Sequence, residues 1–123
     1  MTNDEIVTAF IHEWDNPNPD PQRLISYFAD AAVYHNMPMA PVPGKDAILK
    51  TFEGMTSRLT SLGWETKWQL SDGDRVVNER IDRFTSGEKR VELPVVGVFE
   101  LKDGKITAWR DYFDLGTWQR ALA

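Results

Sequence analysis

The feature that most constrains this chain is a change of hydrophobic period near its midpoint. Before Leu59 the apolar residues recur every three or four positions; after Trp64 they alternate with polar ones. Ile6, Val7, Phe10, Ile11 and Trp14 mark one face of a first helix. Thr2 and Glu5 stand at capping-box spacing ahead of it, and Asn16-Pro17-Asn18-Pro19 ends it. Asp20 caps a second, short helix with Pro21 at its first position and Leu24, Ile25 and Phe28 on its buried side. Ala32 to Asn36 reads as a short strand, and the stretch from Met37 to Gly44, with three prolines, as a loop. Lys45 to Leu59 is helical again, with Ile48, Leu49, Phe52, Met55 and Leu59 on one stripe. Then come four strands, Trp64 to Leu70, Arg75 to Phe84, Val91 to Leu101 and Lys105 to Phe113, parted by turn signals at Asp72-Gly73, Ser86-Gly87 and Asp103-Gly104.

Helices followed by a run of strands predict an α+β fold. A curved, mixed or antiparallel sheet wrapped over N-terminal helices would leave a cone-shaped pocket, a natural seat for a small molecule. At 123 residues, with no repeat, linker or low-complexity segment, the expectation is a single domain over 1–123. Five Trp, six Phe and three Tyr supply a core and apolar walls for such a pocket. The net charge of -5, with acidic residues scattered, argues against nucleic acid as a partner, since phosphate contacts need a basic patch. No apolar run approaches the roughly 18 residues of a membrane span. The first residues are acidic rather than basic, unlike a signal peptide, and no Cys is present for disulfides or thiolate metal sites. A cytoplasmic protein is the expectation.

Two strands carry charges where a strand rarely hides them. In Asn78-Glu79-Arg80-Ile81-Asp82-Arg83-Phe84, alternation puts Arg80, Asp82 and Phe84 on one face and Glu79, Ile81 and Arg83 on the other. Taken alone, this strand allows either face to be inside, and charged residues are mostly exposed. Arg80 and Asp82 inside would be a costly pair that has to be matched. In Trp109-Arg110-Asp111-Tyr112-Phe113, Asp111 shares its face with Trp109 and Phe113. A carboxylate between two large aromatics is hard to place on a solvent surface. Counting from the Asp-Gly turn puts Asp111 opposite Val95 or Val96, according to the turn length, and counting from Ser86-Gly87 puts Arg80 opposite about the same position. Arg80 and Asp111 are then two strands, roughly 10 Å, apart at the backbone. That span allows an Asp82–Arg80–Asp111 bridge.

A third segment, Val33-Tyr34-His35-Asn36-Met37-Pro38, points a hydroxyl (Tyr34) and an amide (Asn36) to one side, a pair suited to holding water. The ordinary alternative is a buried Tyr and a turn Asn before a Pro-rich loop. His12 and His35 are not at metal-ligand spacing and are expected to be structural or exposed. Neither a nucleophile elbow nor a Gly-rich phosphate loop is present.

Together, Tyr34-x-Asn36-Met37-Pro38, Arg80-x-Asp82 and Trp109-Arg110-Asp111-Tyr112-Phe113-Asp114 resemble the limonene-1,2-epoxide hydrolase family, in order and at similar spacing, and the likeness runs from the first helix to Trp118. The resemblance implies a cone-like fold of the nuclear-transport-factor-2 type. It implies an epoxide hydrolase that opens a small hydrophobic epoxide, cyclic or terpene-like, to a vicinal diol by direct attack of water. By the same likeness Asp111 is the general base, Tyr34 and Asn36 hold the water with it, Asp82 is the general acid, and Arg80 bridges the two carboxylates. No metal or organic cofactor is implied. Combined with the apolar faces, the likeness puts Met55, Leu59, Phe84, Leu93, Val95, Phe113 and Trp118 in the pocket wall. A homodimer through the open sheet face is implied as well, with Trp68 and Phe99 as candidates for its surface. Two other classes compete. An isomerase or cyclase of the same fold would not need Arg80 between two carboxylates, and a carrier of lipid-like ligands would bind without turnover.

Overall fold

The sheet that organises the chain has six strands in the order β2-β1-β6-β5-β4-β3. The computed structural model describes all residues, Met1–Ala123. The elements are α1 (Asn3–Glu13), α2 (Pro21–Ile25), β1 (Phe28–Asn36), β2 (Val42–Pro43), α3 (Lys45–Arg58), β3 (Thr60–Asp72), β4 (Arg75–Ser86), β5 (Lys89–Lys102), β6 (Lys105–Tyr112) and α4 (Leu115–Leu122). β3 to β6 form an antiparallel run, and β1 joins β6 in parallel, so the sheet is mixed. Register shifts in β1/β6, β3/β4 and β5/β6 bend it over the helices. The architecture is the expected α+β cone.

Local chemistry explains the helices. The Thr2 hydroxyl accepts from the Glu5 amide at 3.1 Å while the Glu5 carboxylate accepts from the Thr2 amide at 2.8 Å, a complete capping box. From there Ile6, Val7, Phe10 and Ile11 go inward. The Asp20 carboxylate accepts from the Gln22 amide at 3.0 Å and Pro21 opens α2. Phe10 is the hub of the core, edge-on to Tyr27, Phe28, Phe99 and Trp109 at centroid distances of 5.0–6.4 Å.

Several expectations need correction. α2 stops at Ile25, and Phe28, expected on its buried side, opens β1 instead. Phe28 pairs with Ile106, whose amide donates to the Tyr27 carbonyl, so the sheet claims this backbone before the helix can. Leu59 is the extended cap of α3 rather than part of its stripe. Phe99 does not serve an outer surface: the inward residues of β5 are Val91, Leu93, Val95, Gly97, Phe99 and Leu101, and Phe99 is wholly buried. Phe99 has the same parity as Leu93 and Val95 of the pocket wall. α4 was not foreseen; Asp114 caps it, accepting from the Thr117 amide at 3.1 Å. No helix is long and apolar enough to cross a membrane.

Candidate active site

β4 settles which of its faces is inside. Val76, Asn78, Arg80, Asp82 and Phe84 are all buried, and the residues between them are half-exposed. Arg80 thus enters the protein as a full charge with no solvent contact, a state that is stable only when the charge is paired and hydrogen-bonded. Its Nε donates to Asp82 Oδ1 at 3.0 Å and its Nη2 to Asp82 Oδ2 at 3.0 Å. Nη2 also donates to Asp111 Oδ2 at 2.8 Å, and Nη1 to Asn78 Oδ1 at 2.8 Å. The guanidinium lies over the Trp64 ring, 5.1 Å from its centroid.

The bridge between the carboxylates exists, but on a different register from the one counted. Arg80 is opposite Val95 as expected; Asp111 is opposite Gly97, neither Val95 nor Val96. The turn pairs Lys102 with Lys105 and Leu101 with Ile106, and the pairing then slips so that Glu100 faces Ala108. A bulge inside the strand, not the turn length, moves Asp111 one position along β5.

Asp111 has a second donor on its own strand. Trp109 Nε1, two residues back on the same face, donates to Asp111 Oδ1 at 2.6 Å. The Trp109 ring stacks on Tyr34 with centroids 4.2 Å apart and 11° between planes. Tyr34 donates to Asn36 Oδ1 at 3.2 Å, and Asn36 is the Cα partner of Asp111 across β1 and β6. Tyr34, Asn36 and Asp111 therefore converge at one end of the site, and Asp82 lies across Arg80 from them.

These groups open on a cavity of about 250 Å³. Tyr34, Asn36, Asp82 and Asp111 form its polar end; Arg80 lies behind the wall, reaching the cavity only through the two carboxylates. All seven apolar residues expected in the wall line it: Met55 and Leu59 from the α3 end, Phe84, Leu93 and Val95 from the sheet, and Phe113 and Trp118 at the C-terminal end. Met39, Thr51, Arg58 and Trp64 line it too and were missed. Trp64 carried a misleading signal: it shares the parity of the exposed Trp68, and only the register shift between Thr66 and Trp68 brings it opposite Asp82. Met39 and Thr51 carried none, because a loop position and a lone helix Thr look the same inside or out.

Two carboxyls and one guanidinium in a dry site cannot all carry their charge cheaply. Burial pushes Asp82 up to about 6, against the pull of Arg80. It raises Asp111 as well, against Arg80 and the Trp109 N–H. Burial disfavours the Arg80 charge, but Asp111 and Asp82 together outweigh this and hold it protonated. Burial, and then the Asp111 charge, keep the Tyr34 hydroxyl protonated. The two carboxyls titrate as a pair that retains a proton well above the usual carboxylate range. Such a site offers a proton donor and a proton acceptor on one cavity wall. His12 pairs with the exposed Asp15 at 2.9 Å and His35 with the Met39 carbonyl at 2.8 Å, both outside the cavity lining. No group of three His, Asp or Glu side chains that could hold a metal ion is found in the chain.

Residues 1–123 match the model of the limonene-1,2-epoxide hydrolase catalytic domain family. Epoxide hydrolase EphG of Mycobacterium tuberculosis is 35% identical over 111 residues, covering 89% of this chain and 71% of that protein. The solved structure of an LEH-like epoxide hydrolase from M. tuberculosis superposes with a TM-score of 0.83 at 31% identity, over 97% of this chain and 87% of the other. A protein of ketosteroid isomerase-like fold from Catenulispora acidiphila superposes with a TM-score of 0.81 at 22% identity, over 94% of this chain and 90% of the other, a likeness of fold alone.

Proposed function

The chain belongs to the limonene-1,2-epoxide hydrolase family and is an epoxide hydrolase; from that premise we propose that it opens a hydrophobic epoxide in one step, by water activated at Asp111 and a proton delivered from Asp82. The observation that carries this reading is one buried guanidinium shared by two carboxylates at a cavity wall. Such a pair holds one proton between two sites, the starting condition for acting as acid and base in the same event.

Asp111 is the base because the groups that can hold water stand beside it. Asn36 is its Cα partner, and the Tyr34 hydroxyl feels the Asp111 charge more strongly than that of Asp82. Water donates one proton to Asp111 as its oxygen attacks an epoxide carbon. The carbon–oxygen bond on the other side breaks, and the ring oxygen takes the proton of Asp82. The diol leaves with both oxygens protonated, Asp111 holding the proton and Asp82 charged. Exchange with solvent after product release returns the proton to Asp82. Arg80 faces one charge at the start and one at the end, so the guanidinium has no net charge to compensate during the step. Preorganisation of this kind is where electrostatic catalysis gains most.

The apolar wall favours a compact hydrophobic epoxide, cyclic or terpene-like, with its oxygen at the polar end of the cavity. The domain works over its whole length, 1–123. A homodimer through the outer sheet face accompanies this reading: Trp68, Val96 and Tyr112 are each more than a third exposed there, an apolar surface that a second copy would cover.

The test is a single turnover with enzyme in excess, in ¹⁸O-water containing a chelator, on limonene oxide or cyclohexene oxide. Direct attack puts ¹⁸O into the diol of the first turnover. A covalent ester would deliver an unlabelled carboxylate oxygen instead and would overturn the one-step mechanism.

A further inference from the structure

Asn78, Gly97 and Asp111 are Cα partners across β4, β5 and β6, and all three face inward in one row. The centre of that row has no side chain. A Cβ on Gly97 would overlap Nη1 of Arg80 and would stand 2.8 Å from Asp111 Oδ1 and 3.0 Å from Asn78 Oδ1. Gly97 is not among the glycines at positive φ, so its backbone does not call for glycine. A mid-strand glycine weakens a strand and is found where another group must approach closely. Here that group is the Arg80 guanidinium. Arg80 starts one inward position away, opposite Val95, and its tip lies along β5 over Gly97.

The Asn78 side chain is fully buried and does not line the cavity. Its Oδ1 takes the Nη1 bond of Arg80 at 2.8 Å, and its Nδ2 donates to Gln69 Oε1 at 3.0 Å. Gln69 Nε2 in turn donates to helix α1: to the Asp4 carbonyl at 3.1 Å, the Asp4 carboxylate at 2.8 Å and the Thr8 hydroxyl at 3.0 Å. The polarity of this chain is fixed at both ends. A guanidinium only donates, so Asn78 must offer it oxygen; the Asp4 oxygens only accept, so Gln69 must offer them nitrogen. Each amide then has one orientation.

We propose that Asn78 and Gly97 are positioning residues for Arg80, Gly97 by leaving the space its guanidinium occupies and Asn78 by fixing its rotation through Gln69 against α1. This rests on the roles assigned above to the two carboxylates. Nε and Nη2 alone grip Asp82, and a planar group held on that side can tilt away from Asp111. The Nη1 bond to Asn78 holds the third nitrogen, which sets the reach of Nη2 to Asp111. The surrounding charged and polar groups are Asp82 on β4, Asp111 on β6 and Tyr34 on β1, with Trp64 of β3 stacked on the guanidinium.

Asn78→Leu keeps the volume and removes the polar atoms; Gly97→Ala fills the slot. Each is expected to lower kcat about 10- to 100-fold with KM within about threefold of wild type, because the reacting groups shift and the cavity wall does not. Gln69→Leu, half-exposed and remote from the cavity, is expected to lower kcat about three- to tenfold, again without a KM change. Thermal melts establish which variants are folded at the assay temperature. Wild-type kcat in folded Asn78→Leu or Gly97→Ala overturns the proposal, as does a loss carried by KM. If neither variant folds, Gln69→Leu decides on the same criteria. Asp111→Asn is run beside them. Full turnover in that variant would overturn the reading of the site, and the positioning role with it. An inactive Asp111→Asn beside a wild-type Asn78→Leu overturns the positioning role alone.

Discussion

Two of the three arginines of β4, Arg80 and Arg83, stand three residues apart, and the strand period sends them to opposite faces. Each meets two carboxylates. Arg80 is 3.0 Å from Asp82 and 2.8 Å from Asp111; Arg83 is 3.0 Å from Glu65 and 3.5 Å from Glu92. Distance hardly separates the two clusters. Solvent does: the Arg80 side chain is 0% exposed against 28% for Arg83, and the inner carboxylates 5% against 54% for the outer ones. The same charges at the same range interact several times more strongly without water between them. In the inner cluster the same burial strips the carboxylates of water, and that loss raises their pKa values against the pull of Arg80. Residue type and spacing therefore do not set the inner cluster apart; the side of the sheet does.

The largest way to break the comparison is to remove the inner carboxylates. Asp111→Asn and Asp82→Asn are each expected to cost about 10²–10⁴-fold in kcat, the usual worth of a general base or acid. The fold should survive, because either variant leaves Arg80 one carboxylate partner. An added nucleophile separates the two roles. Azide is already an anion and needs no base, so it should restore ring opening, as azido alcohol, in Asp111→Asn. It should not rescue Asp82→Asn, where the leaving oxygen still lacks its proton. Equal rescue of both, read by mass spectrometry of the products, would reverse or erase the assignment.

Next in size is paired substitution of the arginines. Lys keeps the charge but not the fork that grips Asp82 and reaches Asp111 at once. Arg80→Lys is expected to lower kcat about 10- to 100-fold. The kcat–pH profile of the wild type should be a bell, since the pair must hold one proton: below it both carboxyls are neutral, above it both are charged. A profile flat across the Asp82 value of about 6 would contradict the shared proton.

Smaller again is the effect on stability. The carboxyl of Asp82 titrates near 6 when folded against 3.8 ordinarily, so the folded chain binds more protons between these values. Its contribution to stability is fully present below the unfolded pKa and is lost as pH rises through the folded one. The loss is roughly 1–3 kcal/mol for a shift of this order. Asp82→Asn mimics the protonated form and should not show that loss. Its melting temperature should gain on wild type as pH rises from about 3.8 to about 6 and then level off; a constant gap would show that burial does not raise this carboxyl.

Much of this comparison was legible before any coordinates. Period two alone puts Arg80, Asp82 and Phe84 together and Arg83 with Ile81, and the aromatic neighbours of Asp111 argue that its face is inside. What strand period cannot give is which face of an isolated strand is buried, and for Arg80 both sides stayed open until Asp111 was considered. Register was lost to a bulge near Thr107, which no Gly or Pro announces. Period two puts Asn78 on the face of Arg80, but its other partner, Gln69, becomes a neighbour only once β3 and β4 are paired. Phe99 was misplaced although its parity with Val95 was available. The missing α4 is signalled by a single capping Asp114, and Gly116 two residues later argues against helix.

The smallest expected effect is the sharpest control. Arg83→Lys and Arg83→Ala change the outer cluster, where Glu65, Glu92 and the Arg itself all touch solvent. Exposed ion pairs contribute about 0–1 kcal/mol, so either variant should stay within about 0.5 kcal/mol of wild type in denaturant titration. Turnover should be unchanged, because Arg83 faces away from the cavity on the side of Ile81. High salt should erase what little difference remains, whereas Arg80→Lys should stay impaired in the same buffer, its site being closed to counterions. If Arg83→Ala slowed turnover as Arg80→Lys does, the outer face would be coupled to the site through the strand itself. Burial would then no longer account for the difference between the two arginines.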